Sequence, residues 1–406
     1  METEQQSTLS LPERLSGWIQ ESIMIKLFSI GILILILLIP TSGIEDLINE
    51  RQQRADEVMD EVADKWSGAQ TVSGPFLVIP YKRLEVIDLG REGKETREYE
   101  EKAFFLPHQL DVKGNISPEI LHRGIFDAVV YKSELEIHSV FTKPDFKALS
   151  IPEDLVLWNK AFMVFGITDV RGIQDSLIFM AGGLSLDSEP SNDIGVSIAS
   201  NLPQKERDQA RKTSADPLNN NGITTKLPWD AAEDFSGNVN LKLSLKGSKR
   251  LDFVPVGKTT TVDLAGTWNN PSFDGEFLPD DREVTESGFT ASWKVLHFNR
   301  PFPQQWTQEN QVLSGADFGV KLLIPVDQYQ KSTRSAKYGI LIILLTFMAL
   351  FLVEITQKIR IHPFQYILIG AALIIYYTLL LSFSEHVGYN LAYVISSLAT
   401  VALIGA

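Results

Sequence analysis

The sequence contains no cysteine, which excludes a disulfide framework, a thiolate nucleophile and any cysteine-ligated metal site. It also lacks excess positive charge: 37 lysines and arginines stand against 51 acidic residues, for a formal net charge of -14. A nucleic-acid surface needs a basic face to displace counterions from phosphate, so nucleic acid is not an expected partner. Histidine is scarce, with six in the chain, and none lies at metal-ligand spacing from another. There is no Gly-x-Ser-x-Gly elbow, no His-Glu-x-x-His zinc helix and no EF-type calcium loop. The nearest approach to a phosphate loop, Val256-Gly257-Lys258-Thr259-Thr260, has Asp252 where that motif requires its first glycine. No cofactor, metal or catalytic residue is expected, and the chain reads as a non-enzyme.

Long apolar runs are present instead. Residues 23–39 are apolar apart from Lys26, Ser29 and Gly31, a stretch at the short end of what crosses a hydrocarbon core about 30 Å thick. Lys26 can snorkel to the interface, and residues 1–22 read as a cytoplasmic tail. A retained anchor is favoured over a cleaved signal peptide, because three more apolar runs follow at 338–355, 364–383 and 391–406. The last run stops without a polar flank, and further spans are expected to follow it. The loop Thr356 to Pro363 is basic, whereas Ser384 to Asn390 has no lysine or arginine. The positive-inside rule then places the N-terminus in the cytoplasm and the large intervening region outside it.

Between the first and second runs the texture is globular. Ser42-Gly43-Ile44-Glu45 has capping-box spacing, so a separate amphipathic helix over 42–67 is expected, kinked from the anchor at Pro40 and stopped by Ser67-Gly68. From Gly74-Pro75 the period shifts to two, with strands expected at Phe76 to Ile79, Gln109 to Ile116, Phe126 to Ile137, Val239 to Leu245, Gly288 to Phe298 and Phe318 to Leu323, among others. The fold class is therefore a multi-pass α-helical membrane protein with a large mainly-β, sandwich-like extracytoplasmic domain over 68–337. Residues 200–237 are polar and turn-rich and read as a surface connection, the lobe boundary if the domain has two lobes. Phe105-Leu106-Pro107 with Val112, echoed by Phe277-Leu278-Pro279 with Val284, is the one sign of an internal duplication. In the membrane part Glu354, His362, Glu385 and His386 all lie near span ends, where a solvated role is expected.

Certain residues, taken in order, resemble a known family. Trp66-Ser67-Gly68, Gln70, Gly74-Pro75, Ile79-Pro80-Tyr81, Arg123-Gly124-Ile125-Phe126, Tyr131, Asp169 with Arg171-Gly172-Ile173 and Lys246-Gly247-Ser248 open the match. Trp268, Pro271-Ser272-Phe273, Gly275, Phe277-Leu278-Pro279, Phe289, Trp293, Arg300, Phe302-Pro303 and Trp306 continue it. Ile361-His362-Pro363, Gln365-Tyr366 and Ser384-Glu385-His386 carry it into the membrane part. The chain is similar, from about residue 23 to its end, to the CreD family of bacterial inner-membrane "cell envelope integrity" proteins. The resemblance implies a multi-pass inner-membrane protein with a large periplasmic domain, linked to envelope stress and β-lactam response, and it brings no catalytic residues. Family members continue into further spans.

Two candidate sites remain on the sequence. Trp268 with Pro271 and Phe273 is a candidate aromatic site for a glycan or peptide, the alternative being that these residues fill a core. Glu385 and His386 form a candidate polar site at the outer membrane interface, the place for a membrane enzyme or transporter acting on a lipid-linked or peptidoglycan-related substrate. The expected partners are membrane lipid and an envelope protein or glycan.

Overall fold

The computed structural model describes residues 23–88, 94–175, 177–199, 218–219, 221–307, 311–313, 315–322, 328–359 and 361–405. It divides into two compact units, Val58–Ile324 and Met1–Glu57 with Pro325–Ala406. The tail expected at 1–22 lies outside the described residues.

The first unit is the β domain. Its main strands are β1 (Gln70–Asp88), β2 (Lys94–Phe105), β3 (Gln109–Arg123), β4 (Phe126–Val140), β5 (Phe162–Ile167), β6 (Gly222–Lys226), β7 (Asn238–Ser248), β8 (Arg250–Phe253), β9 (Thr259–Gly266), β10 (Pro271–Gly275), β11 (Asp281–Thr285), β12 (Gly288–Leu296) and β13 (Phe318–Leu322). A nine-stranded sheet runs in the order β10-β13-β8-β1-β5-β6 and then Ser188–Ser191, with β2 paired to the outer half of β1 and Gln305–Trp306 paired to β2. An eight-stranded sheet runs β11-β12-β9-β3-β4-β7 and then Ile178–Ala181 and Leu184–Leu186. The pairs β1 with β8 and β3 with β9 are parallel, and the other pairs in these two sheets are antiparallel. A small third sheet joins Val196–Ala199, Leu218–Asn219 and Gln311–Leu313.

The alternation that predicts these strands also builds the core. In β7, Val239, Leu241, Leu243 and Leu245 point inward while Asn240 and Lys242 face solvent. Both large sheets feed one continuous hydrophobic core. Phe273 of β10 sits 5.8 Å, ring to ring, from Phe289 and from Trp293 of β12, and Trp293 lies 5.5 Å from Phe318 of β13. Chain continuity supplies a further tie, because β7 leaves one sheet and β8 enters the other through Lys249, whose φ of 63° turns the corner.

Several expectations need correction. Gly74-Pro75 does not bound the first strand; β1 runs through it, with a register shift between Ser73 and Phe76 against β5. The polar stretch 200–237 is not one surface connection. Its residues 200–217 and 220 lie outside the described residues, but β6 pairs with β5 inside the large sheet, and Leu227 and Trp229 are buried. With one core and one compact unit, the domain is not two-lobed. Nor do the echoed valines match: Val112 is in the core, while Val284 is exposed on the edge strand β11.

The second unit is helical. Helix α1 (Ile23–Trp66) is continuous over 44 residues, so the expected break at Pro40 and the new helix start at Ser42 are absent. The Ser42 hydroxyl donates back to the Ile39 carbonyl at 2.8 Å and that of Thr41 to Leu37 at 2.8 Å, so Ser42 bonds backward instead of capping a new helix. α2 (Gln328–Lys337) forms a helix within the segment expected to close the β domain. It is followed by α3 (Gly339–Gln357), α4 (Pro363–Val387) and α5 (Tyr389–Gly405). Three of the described helical stretches, Lys26–Trp66, Tyr329–Gln357 and Phe364–Val387, are long and apolar enough to cross a membrane, while α5 is shorter, at 17 residues. α5 buries a stripe of small residues, Ala392, Ser396 and Thr400, which allows close helix packing without a hydrophobic drive.

Candidate functional site

The residues that carry the family likeness converge where α1 ends and β1 begins. The last turn of a helix leaves carbonyls without intrahelical partners, and here Arg171 Nη1 donates to the Asp64 carbonyl at 3.1 Å. The same guanidinium forks onto Asp169, Nε to Oδ1 at 2.9 Å and Nη2 to Oδ2 at 2.8 Å. Asp169 in turn accepts from the Ser67 hydroxyl at 3.1 Å, the Gly68 amide at 3.2 Å and the Arg171 amide at 3.1 Å, capping a short 3-10 turn at Val170–Gly172. Burial works to raise its pKa, but the bonds from Arg171 and from the Gly68 and Arg171 amides outweigh it, and the carboxyl lies below its ordinary value.

Gln70, completely buried, closes the arrangement. Its Nε2 is shared among the Ser67 hydroxyl (2.8 Å), the Lys246 carbonyl (2.9 Å) and the Asp169 carbonyl (3.0 Å), and its Oε1 accepts from the Asp169 amide at 3.1 Å. Packing is so close that two positions must be glycine, one against a backbone carbonyl and one against a buried ring. A Cβ on Gly172 would lie 2.4 Å from the Lys246 carbonyl oxygen, and one on Gly247 would lie 2.2 Å from the Tyr131 hydroxyl. That hydroxyl, on a fully buried ring, donates to the Arg250 carbonyl at 2.8 Å. Lys246 Nζ stands 4.6 Å over the Trp66 ring, and ion pairs Asp60 to Lys249 and Glu61 to Arg123 fix the acidic side of the helix end.

Beside this junction lies a buried charge. Asp252 on β8 is almost fully enclosed, with Arg250 Nε 2.5 Å from its Oδ2 and Arg250 Nη2 donating to Oδ1 at 3.0 Å. Gly319 on β13 makes room for it, since a Cβ there would come 2.7 Å from Oδ1. Burial pushes the Asp252 carboxyl up to about 7; Arg250 pulls it down, and Asp317 and Asp274 push it further up. Sequence reading noticed Asp252 only as a mismatch to a phosphate loop; the available signal was a charged residue inside the apolar run Leu251 to Val256.

The helical unit has its own polar knot. Glu354 is buried, 6 % exposed, and accepts from Lys26 Nζ at 2.6 Å, Tyr366 Oη at 3.3 Å and the Ile361 amide at 3.3 Å. The solvated role expected for Glu354 is therefore corrected: it is an ion-paired staple, and Lys26 is turned onto it. His362 caps α4 through the Phe364 amide while Gln365 accepts from the His362 amide, so two likeness residues serve this one turn. A cleft of about 200 Å³ lies alongside, lined by Lys26, Ser29, Leu33, Ile36, Tyr366 and Ile367.

The two sites expected from sequence are placed differently. Trp268 is buried and Phe273 packs on the core with Pro271 at the start of β10, so they do not form an exposed aromatic platform. Glu385 accepts from the Tyr329 hydroxyl at 3.2 Å, and His386 Nδ1 lies 3.1 Å from the Ser382 carbonyl. They are successive residues on α4, and their hydrogen bonds go to separate partners. Among the described residues no cluster of three or more histidines and carboxylates is placed to hold a metal.

Long apolar helices with an internal ion pair, and a large β unit built on one hydrophobic core, define a helical membrane protein carrying a mainly-β domain. The family model described as "Inner membrane protein CreD" matches residues 22–406. The chain is 32% identical over 379 residues to the inner membrane protein CreD of Escherichia coli (strain K12), an alignment covering 92% of this chain and 78% of that relative. The chain belongs to the CreD family of inner-membrane proteins, as the sequence resemblance implied.

Proposed function

We propose that this protein supports the integrity of the cell envelope under stress, β-lactam stress included, as a non-enzymatic inner-membrane protein whose β domain stands in the periplasm and binds an envelope protein or glycan. The observation that carries this reading is where the likeness residues are used. Ser67, Gln70, Asp169, Arg171, Gly172 and Gly247 lock the first helix to the first strand, and Phe273, Phe289 and Trp293 fill the core. Enzymes concentrate such residues around a cleft with positioned acids and bases, whereas a protein that must hold a binding domain on a membrane concentrates them in the joint and the core. The basic loop from Thr356 to Pro363 and the absence of lysine and arginine from Ser384 to Asn390 support the periplasmic placement.

The test is complementation of a deletion strain under detergent or β-lactam stress. Full-length protein is compared with residues Ile44 to Lys337 held by the first span alone, and with Asp169→Asn in the full chain. Survival with the tethered domain, and loss with Asp169→Asn at equal protein level, is the expected pattern. Rescue by the full chain alone, with both proteins equally abundant and exported, would move the function into the later helices.

A further inference from the structure

Beyond Tyr81 the two longest neighbours of the nine-stranded sheet leave the body of the domain together. Lys82 to Asp88 of β1 pair with Lys94 to Glu100 of β2, Lys82 opposite Glu100 and Asp88 opposite Lys94. The other strand partners of β1 end at Val72 on β8 and Val78 on β5, a single bridge joins Tyr81 to Val156, and the second partner of β2 reaches only Phe104 and Phe105. Among the described residues the result is a two-stranded arm with both edges unpaired, seven residue pairs and about 24 Å long. Lys94 to Glu100 are all exposed, and Leu84, Val86 and Tyr99 project from the arm into solvent. An isolated two-stranded ribbon is marginal in water, and a free edge is a template for another strand. The charged side chains of Lys94 to Glu100 oppose indiscriminate strand addition, while proline and bulges, which would block pairing outright, are missing from this stretch.

The outer edge of β2 has a charge order that complements itself when reversed. It reads Lys94-Glu95-Thr96-Arg97-Glu98. Laid antiparallel on a second copy with the two-fold axis at Thr96, Lys94 meets Glu98 of the second copy, Glu95 meets its Arg97, and Thr96 meets Thr96. Every charged residue in this stretch then faces its opposite, and the centre is a threonine pair, both favourable cross-strand combinations. Arg97 is then shared between Glu95 of its own chain and Glu95 of the second copy, and Glu98 between Lys82 of its own chain and Lys94 of the second copy. Sliding by one residue sets Glu95 against Glu98 or Lys94 against Arg97, and sliding by two sets Arg97 on Arg97 or Glu95 on Glu95, so neighbouring registers are penalised. The β1 edge is a poorer match, because its best register leaves Lys82 opposite Val86. A chain of net charge -14 repels its copies in general, which makes one self-complementary edge selective for this geometry.

We propose that two copies of this chain associate through the Lys94–Glu98 edge of β2, extending the arm into a four-stranded antiparallel ribbon with a two-fold axis at Thr96. Because the native sequence has no cysteine, single-cysteine cross-linking of the full-length protein in detergent micelles or nanodiscs reads the register directly. Facing Thr96 Cα atoms would lie about 4.5–5.5 Å apart, within disulfide reach, so Thr96→Cys is expected to give a covalent dimer on mild oxidation. The Glu100 positions would lie on opposite sides of the axis, about 27 Å apart, and Glu100→Cys is expected to stay uncross-linked. Arg97→Glu sets a carboxylate against Glu95 of the second copy, twice by symmetry, and should raise the dimer dissociation constant about tenfold, while Glu95→Arg combined with Arg97→Glu restores it. These side chains are exposed, so loss of folding does not confound the comparison. Equal cross-linking from both cysteine positions, a monomer by native mass spectrometry at every concentration, or failure of the double reversal to restore association would each overturn the proposal.

Discussion

The buried Asp252 makes a quantitative prediction about pH. Its carboxyl is raised from 3.8 to about 7, with burial the largest cause, so between these values the folded chain holds a proton that the unfolded chain releases. The sign follows from that difference. Stability from this group is fully present below the unfolded value and is lost as pH rises through about 7, after which a buried charge persists against Arg250. From about pH 5 to about pH 8 roughly two units of the shift are traversed, which amounts to about 3 kcal/mol. Asp169 has the opposite sign: its lowered pKa contributes stability that is lost only as pH falls below the ordinary carboxylate range, outside this window. Asp252→Asn removes the titration while keeping the shape and an acceptor for Arg250. The measurement is denaturant unfolding of the full chain in detergent at a series of pH values, wild type and variant side by side. Wild-type stability relative to the variant should fall by about 3 kcal/mol across the window. A difference that is flat, or that rises with pH, would refute the assignment of Asp252 as a protonated buried acid near neutrality.

Other substitutions test the remaining contacts. Gly247→Ala should cost about 2–3 kcal/mol because its Cβ would lie 2.2 Å from the hydroxyl and 2.4 Å from Cζ of the buried Tyr131 ring, and since phenylalanine keeps that Cζ, thermal melts should show the cost largely retained in a Tyr131→Phe background. Glu354→Ala strands Lys26, the Tyr366 hydroxyl and the Ile361 amide, with an expected loss of about 2–3 kcal/mol; adding Lys26→Met should recover a large part of it in the same melts. Phe273→Ala should lower stability by about 2 kcal/mol, less than a fully enclosed ring because Phe273 is half-buried, which equilibrium unfolding can check; an exposed ligand platform would instead lose binding with stability intact.

The legible parts of this fold were those where one local period decides the structure. The inward valine and leucines of β7 alternate with polar residues because one face meets the core, and the apolar runs of α3 and α4 stand out by length and composition alone. The arm of β1 and β2 was missed for the same reason in reverse. From Lys94 to Glu100 neither face meets a core, so no alternation is imposed, and the charged sequence resembles a loop. β6, with the sequence Gly-Ile-Thr-Thr-Lys, was hidden by the polar residues around it, although its threonines are good strand formers.

Interactions between distant segments were not legible by spacing at all. Lys26 and Glu354 are separated by 328 positions, and each alone reads as a charge that escapes to the interface; together, 2.6 Å apart with Tyr366 and the Ile361 amide, they form a satisfied group that needs no escape. Asp169 and Gln70 show the same limit, being 99 positions apart. What the sequence did offer was the family likeness, which named Gln70, Asp169, Arg171, Gly172 and Gly247 without a role for any of them. The geometry supplies that role. One glycine is required by backbone approach and another by the buried Tyr131 ring, one glutamine by a buried set of carbonyls, and one Asp–Arg fork by the open end of a helix. A likeness made of glycines, prolines and aromatics therefore identifies the joint and core of a scaffold, and a binding surface on such a scaffold is free to vary without disturbing it.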